Sequence, residues 1–162
     1  MSERKRTIEW QDPSTGLAYG RGRGGLEWMQ AIASGAIPQA PISETLRFWL
    51  VAVEEGFARF EGSPDESLCN PMGPVHGGVA ATLLDSAMGC AVMTTLDAGT
   101  AYTTAQLGVH LVRPLTPKTE RCVVEGRVLH RGRSLATAEA RLLDDRGALV
   151  AHGTTTCAIF PR

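Results

Sequence analysis

The sequence predicts an α+β domain in which a curved, mostly antiparallel sheet wraps around one long buried helix. Three observations predict it. Between His76 and Asp97 the only charged side chain is Asp85, six strand-like segments flank that stretch, and the later segments are joined by connections short enough for antiparallel hairpins. A helix that is apolar on nearly every face has to be buried, and one such helix with one sheet is covered most economically when the sheet curves around it. A chain of 162 residues, 43% hydrophobic and 20% charged, suffices for one ordinary globular core.

The elements follow in order. Residues 1–24 are polar and Gly-rich, and they predict a segment partly disordered or laid across the surface, with little function of its own. Leu26, Met29, Ile32 and Ala33 recur at helical spacing before Gly35, Pro38 and Pro41, a short amphipathic helix and a linker. Residues 1–40 therefore form an N-terminal extension, and 41–162 the domain proper. Phe48–Val53 and Phe57–Glu61 flank Glu54-Glu55-Gly56 as a hairpin. After the loop 62–75 and the central helix, Leu107, Val109 and Leu111 alternate with Gln106, Gly108 and His110 in a strand over 103–112, which Pro114 and Pro117 end. Strands over 121–129, 135–143 and 148–160 complete the sheet.

Composition limits the function. A formal net charge of −1 argues against nucleic acid as the main partner, and Arg21-Gly22-Arg23-Gly24 reads as flexible padding. Cys69, Cys90, Cys122 and Cys157 form no C-x-x-C pair, and no apolar run follows the first residues, so the expected location is a reducing cytoplasm without leader or anchor. The central stretch is not a membrane span, because Asp85 lies near its middle, Gly and Thr are frequent, and basic and aromatic flanks are missing. His76, His110, His130 and His152 are widely spaced, and no metal is expected.

Asp85 is the first candidate for chemistry. Burying a lone carboxylate costs several kcal/mol unless it is paired, hydrogen-bonded or protonated, so a chain that keeps one in an apolar helix either uses it in chemistry or bonds it to a nearby hydroxyl or backbone amide inside the core. If Gly77 and Gly78 open the helix, their N–H groups lack intrahelical partners and form an anion-binding point that a substrate can approach closely.

The motif Asn70-x-x-Gly73-x-x-His76-Gly77-Gly78 followed by Leu83-x-Asp85-x-x-x-Gly89 resembles the signature of hotdog-fold acyl-CoA thioesterases of the phenylacetate-degradation type. Tyr102 to Leu107 and Arg113-Pro114 are similar to that family's next strand, so the likeness covers roughly residues 40–160. The resemblance implies the hotdog fold, subunits paired through their sheets, often as tetramers, and sites at the subunit interface. It implies that Asp85 is the catalytic carboxylate, that the Gly77 N–H polarises the thioester carbonyl, and that Asn70 places the water. Thr104 corresponds to a hydroxyl-bearing position, with a shift onto Thr103 left open.

Gly77 and Asp85 are eight residues apart, or about 12 Å along one straight helix. A single carbonyl cannot readily touch both, whereas a two-fold dimer can bring the helix start of one subunit beside the other's Asp85, giving two shared sites. A coenzyme A thiol, with a pKa near the ~8.5 of cysteine, leaves with little acid assistance, so one carboxylate suffices as base or as nucleophile. His76 could orient the loop, donate to the carbonyl or act as a base. Arg113, Arg131, Arg133 and Ser134 are candidates for the phosphates of coenzyme A, which is substrate, so no separate cofactor is expected. Trp28, Phe48, Trp49, Met88, Val92 and Met93 could line an acyl pocket, with the Trp28 region as a lid, though core packing accounts for each. The acyl group is expected to be aromatic or of medium length. The alternatives are a hydroxyacyl-thioester dehydratase using His76 and Asp85, and a non-catalytic acyl-CoA-binding module.

Overall fold

The central helix of the computed structural model, which describes residues 3–161, is α4, Gly77–Met93. It follows three short helices, α1 (Ser14–Gly20), α2 (Gly25–Ala33) and α3 (Pro41–Leu46), strands β1 (Phe48–Glu54) and β2 (Phe57–Gly62), and a 3-10 turn at Glu66–Leu68. Strands β3 (Thr100–Leu111), β4 (Cys122–Arg131), β5 (Leu135–Leu143) and β6 (Leu149–Pro161) come after it. The six strands form one antiparallel sheet in the order β1-β2-β4-β5-β6-β3. One antiparallel sheet packed on one long helix is what the hydrophobic pattern predicts, and it agrees with the hotdog fold that the motif's resemblance implies.

Leu83, Leu84, Ala87, Met88, Ala91 and Val92 of α4 are all but fully buried against Phe60, Val124, Ala138, Leu142 and Cys157 of the sheet. Burial of this kind stabilises by roughly 1.5–3 kcal/mol for each large side chain. Closest approach is at Gly126 of β4, where a Cβ would lie 2.3 Å from the Ala87 carbonyl oxygen, so only glycine lets the sheet press onto the helix there. The far end of α4 is held by the β1–β2 turn, whose Gly56 N–H donates to Thr94 Oγ1 at 2.8 Å. Gly56 has φ +73°, the left-handed conformation that glycine adopts without penalty.

The N-terminal segment follows one of the two expected courses and adds a helix that was not expected. Arg6 donates to the Glu44 and Thr45 carbonyls and to Ser67 Oγ, so the chain is laid across the surface, and residues 14–20 are helical. Helix α2 docks onto the end of α4 through Gly25, whose N–H donates to the Leu96 carbonyl at 2.8 Å. A Cβ on Gly25 would overlap the Met93 carbonyl, at 1.8 Å. Gly25, immediately after the Arg21–Gly24 run read as padding, is thus the condition for close helix packing. No helix among the described residues is long and apolar enough to cross a membrane.

Candidate active site

Asp85 lies half-buried on α4 and accepts a hydrogen bond from Thr104 Oγ1 at 3.0 Å. Thr104 reaches it because of a β-bulge. Thr104 pairs with Cys157, and the register then slips so that Gln106 faces Thr156, which leaves Ala105 as the extra residue. Thr104, Leu107, Val109 and Leu111 therefore share the helix-facing side, and Thr103, paired with Ala158, is directed to the other face. Bulges commonly re-aim a side chain in this way.

Neutral side chains lie beside Asp85: Thr104, Cys90, Tyr102 and Cys157. Burial, with the Asp85 charge adding to it, pushes the Cys90 thiol up to about 12 and keeps the Tyr102 phenol protonated well above its ordinary range. Burial likewise raises the Cys157 thiol. None of these thiols is a nucleophile near neutral pH. Gly89, one turn beyond Asp85, is covered by Tyr102, whose hydroxyl occupies the place a Cβ would take, at 2.3 Å.

The helix start is arranged differently. His76 is the N-cap, and its Nδ1 accepts the Gly78 N–H at 2.9 Å. Of the two N–H groups expected to be open, Gly78's is thus occupied by the imidazole, and Gly77's has no partner among the described residues. Asn70 shapes the loop before it: its side-chain oxygen accepts the Met72 N–H at 2.8 Å, and its own N–H donates to the Pro74 carbonyl. Gly73, at φ +104°, makes the turn between them. A cleft of about 280 Å³ opens here, bounded by Asn70, His76, Gly77, Leu111 and Arg113.

The four candidate phosphate ligands are not brought together within one chain. Arg113 flanks the Gly77 cleft. Arg131 pairs with Ala136, which pairs with Cys157 and so with Thr104, and Ser134 accepts the Ile159 N–H through its carbonyl. The Arg131–Ser134 turn therefore stands level with Asp85, at the other end of the sheet, three strands or roughly 14 Å from Thr104. His110 and His152, distant in sequence, stack across β3 and β6 with ring centroids 4.9 Å apart on the outer face. Among the described residues no group of three His, Cys, Asp or Glu is placed to hold a metal ion.

The sequence pattern of the Thioesterase superfamily matches residues 72–151, which run from the loop before α4 into β6. Acyl-coenzyme A thioesterase 13 of Mus musculus is 31% identical over 93 residues, 57% of this chain and 65% of that protein, so just under two thirds of that relative is spanned. The structure of a phenylacetic acid degradation-related protein of Ralstonia eutropha JMP134 superposes with a TM-score of 0.73 at 27% identity, covering 80% of this chain and 98% of that one. A Streptococcus mutans protein, solved bound to acetyl CoA, shares the fold at a TM-score of 0.65 and 22% identity, over 72% of this chain and 90% of that one.

Proposed function

We propose that this chain, a thioester hydrolase whose residues 72–151 match the Thioesterase superfamily, hydrolyses acyl-CoA at sites shared between two copies, with Asp85 activating water and the Gly77 N–H stabilising the oxyanion. The observation that carries this reading is the Asp85 carboxylate held by Thr104 on the same helix whose first N–H is unoccupied. Thr104 engages Oδ1, which leaves Oδ2 for a water. Asp85 takes a proton from that water as its oxygen bonds to the carbonyl carbon, and the resulting oxyanion accepts from Gly77. Collapse breaks the C–S bond, the thiolate leaves, and the proton on Asp85 passes to it. Asn70 has committed its side-chain oxygen to the loop, so its amide N–H groups are what it offers the cleft.

Sharing is supported by the free edge of the sheet. Among the described residues strand β3 has no partner on its outer side, yet its helix-facing residues Leu107 and Leu111, with Val112, are 37%, 56% and 53% exposed. Pairing of two β3 edges antiparallel about Leu107 would cover this strip and, with the bulge at Ala105, set Thr104 opposite Val109 of the second copy. That position is followed on the same face by Leu111, whose Cδ1 lies where a Cβ on Gly77 would be, at 2.5 Å. Asp85 of one copy then meets Gly77 of the other, with Arg113 beside it for a phosphate. A tetramer would add a second such pair. The dehydratase alternative needs a histidine free to work on the acyl chain, whereas His76 spends Nδ1 on the helix start.

The test is thiol release from a panel of acyl-CoAs by wild type and Asp85→Asn. Release by wild type that falls about 10²–10⁴-fold in the variant is expected. No release from any member, or release undiminished in the folded variant, would overturn the proposal.

A further inference from the structure

We propose that the N-terminal helix α2 builds the closed end of the acyl pocket, so that Trp28 limits this enzyme to compact, uncharged acyl groups; the inference rests on the acyl-CoA hydrolase reading above. A second cavity, of about 330 Å³, lies under α2 and is lined by Trp28, Met29, Cys90, Met93, Ala101 and Tyr102. It begins about one helical turn beyond the reacting carboxylate, where its wall residue Tyr102 covers Gly89. Cys90 and Tyr102 both feel the Asp85 charge, and Tyr102 precedes Thr104 by two residues on the same face of β3. An acyl chain whose carbonyl sits at Asp85 thus runs along α4 past Gly89, towards Met93, and meets α2.

The chemistry of the walls selects what fits. None of the six side chains is charged near neutral pH, and an ionised acyl end would lose its hydration without gaining a partner. Trp28 and Tyr102 present ring faces, and Met29 and Met93 present thioethers that adapt to flat or branched groups. A dry cavity of ~150 Å³ accepts benzene, so this one holds a ring with its linker or a chain of similar reach, and not a long fatty acyl chain.

The end wall is fixed from behind. A Cβ on Gly20, at the end of α1, would lie 2.5 Å from Trp28 Cδ2, so the indole rests flat on that glycine. Gly25 anchors the start of α2 on Met93 and Leu96, and Met29 is 5% exposed within the core. The extension outside the family match is thereby a wall of the pocket.

The experiment compares ratios of kcat/KM within each protein. In Trp28→Ala the dodecanoyl-CoA to hexanoyl-CoA ratio is expected to rise more than tenfold, since each methylene newly admitted contributes about fourfold. In Cys90→Leu, which narrows the pocket from the α4 side without touching α2, the hexanoyl-CoA to acetyl-CoA ratio is expected to fall by about tenfold. Either ratio staying within twofold of wild type in a variant that melts cooperatively would overturn the inference, while hydrolysis lost in Asp85→Asn would leave the parent reading standing. Wild type inactive on all three esters would remove both.

Discussion

The two ends of α4 divide the work unequally. At Gly77 the helix opens into an accessible cleft, and His76 and Asn70 spend their hydrogen bonds on loop geometry while leaving one backbone donor free. Around Asp85 the environment is closed: Thr104 holds the carboxylate, Tyr102 lies over Gly89, and α2 covers the next two turns. One end offers a fixed partial positive charge, the other a half-buried carboxylate. A thioester needs both within about 3 Å of neighbouring atoms, and about 12 Å of helix separates them. On the proposed mechanism, neither end is a site by itself.

The most demanding way to break this comparison is to remove each end separately and mix the chains. Gly77→Pro deletes the open N–H at the first helical position, where proline is tolerated, and His76 already has the extended φ −59°, ψ 134° that a residue before proline requires. Combined with Leu111→Ala to make room, it is expected to lower kcat about 10²–10³-fold. Refolding it with an equal amount of Asp85→Asn gives, for shared two-fold sites, mixed dimers with one intact and one doubly defective site. About one quarter of wild-type activity should return, half the dimers being mixed and half their sites intact. A mixture as inactive as its components would place both groups' action within single chains.

Thr104→Val sharpens the closed end. It keeps the shape and removes the donor to Oδ1, so Asp85 loses its orientation but not its charge. A hydrogen bond to a charged group is worth ~1.5–3 kcal/mol, and kcat should fall roughly 10- to 100-fold with little change in KM. Thr104→Ser should restore most of the rate. Failure of serine to rescue would mean that the methyl group, and hence packing, mattered more than the hydroxyl.

Much of this was legible in the sequence, for identifiable reasons. The charge-poor run with Asp85 inside it marked α4, and Glu54-Glu55-Gly56 marked the hairpin that Gly56 closes. Thr104 against Thr103 was not decidable, because Leu107, Val109 and Leu111 put odd-numbered residues on the helix side. Extending that alternation backwards selects Thr103. Only the bulge at Ala105 switches the phase, and nothing in Thr-Thr-Ala-Gln announces it. Helix α1 was hidden for another reason: its residues, Ser14 to Gly20, carry no apolar period, and Gly20 matters because an indole eight residues later rests on it. Arg113 and the Arg131–Ser134 turn looked like one set because sequence shows residue types and not the ends of a sheet.

The smallest expected effect separates the two ends by pH alone. Cys90 is held protonated by burial and by the Asp85 charge, its thiol pushed up to about 12, whereas in the unfolded chain it titrates near ~8.5. Below that unfolded value both states keep the proton, and the stability it reflects is fully present. As pH rises above it, the unfolded chain releases a proton that the folded chain retains, so stability falls by up to ~1.4 kcal/mol per pH unit until the folded thiol itself ionises. Urea unfolding at pH 7.5 and 10.5 should therefore show a loss at the higher pH that is smaller in Cys90→Ala, with Tyr102 and Cys122, both raised by burial, supplying the remainder. The Gly77 cleft contributes no such group, so His76→Ala, which removes a helix cap, should cost ~1 kcal/mol by the same amount at both pH values. An equal alkaline loss in wild type and Cys90→Ala would mean that water reaches the thiol, and that the pocket beside Asp85 is open where the geometry closes it.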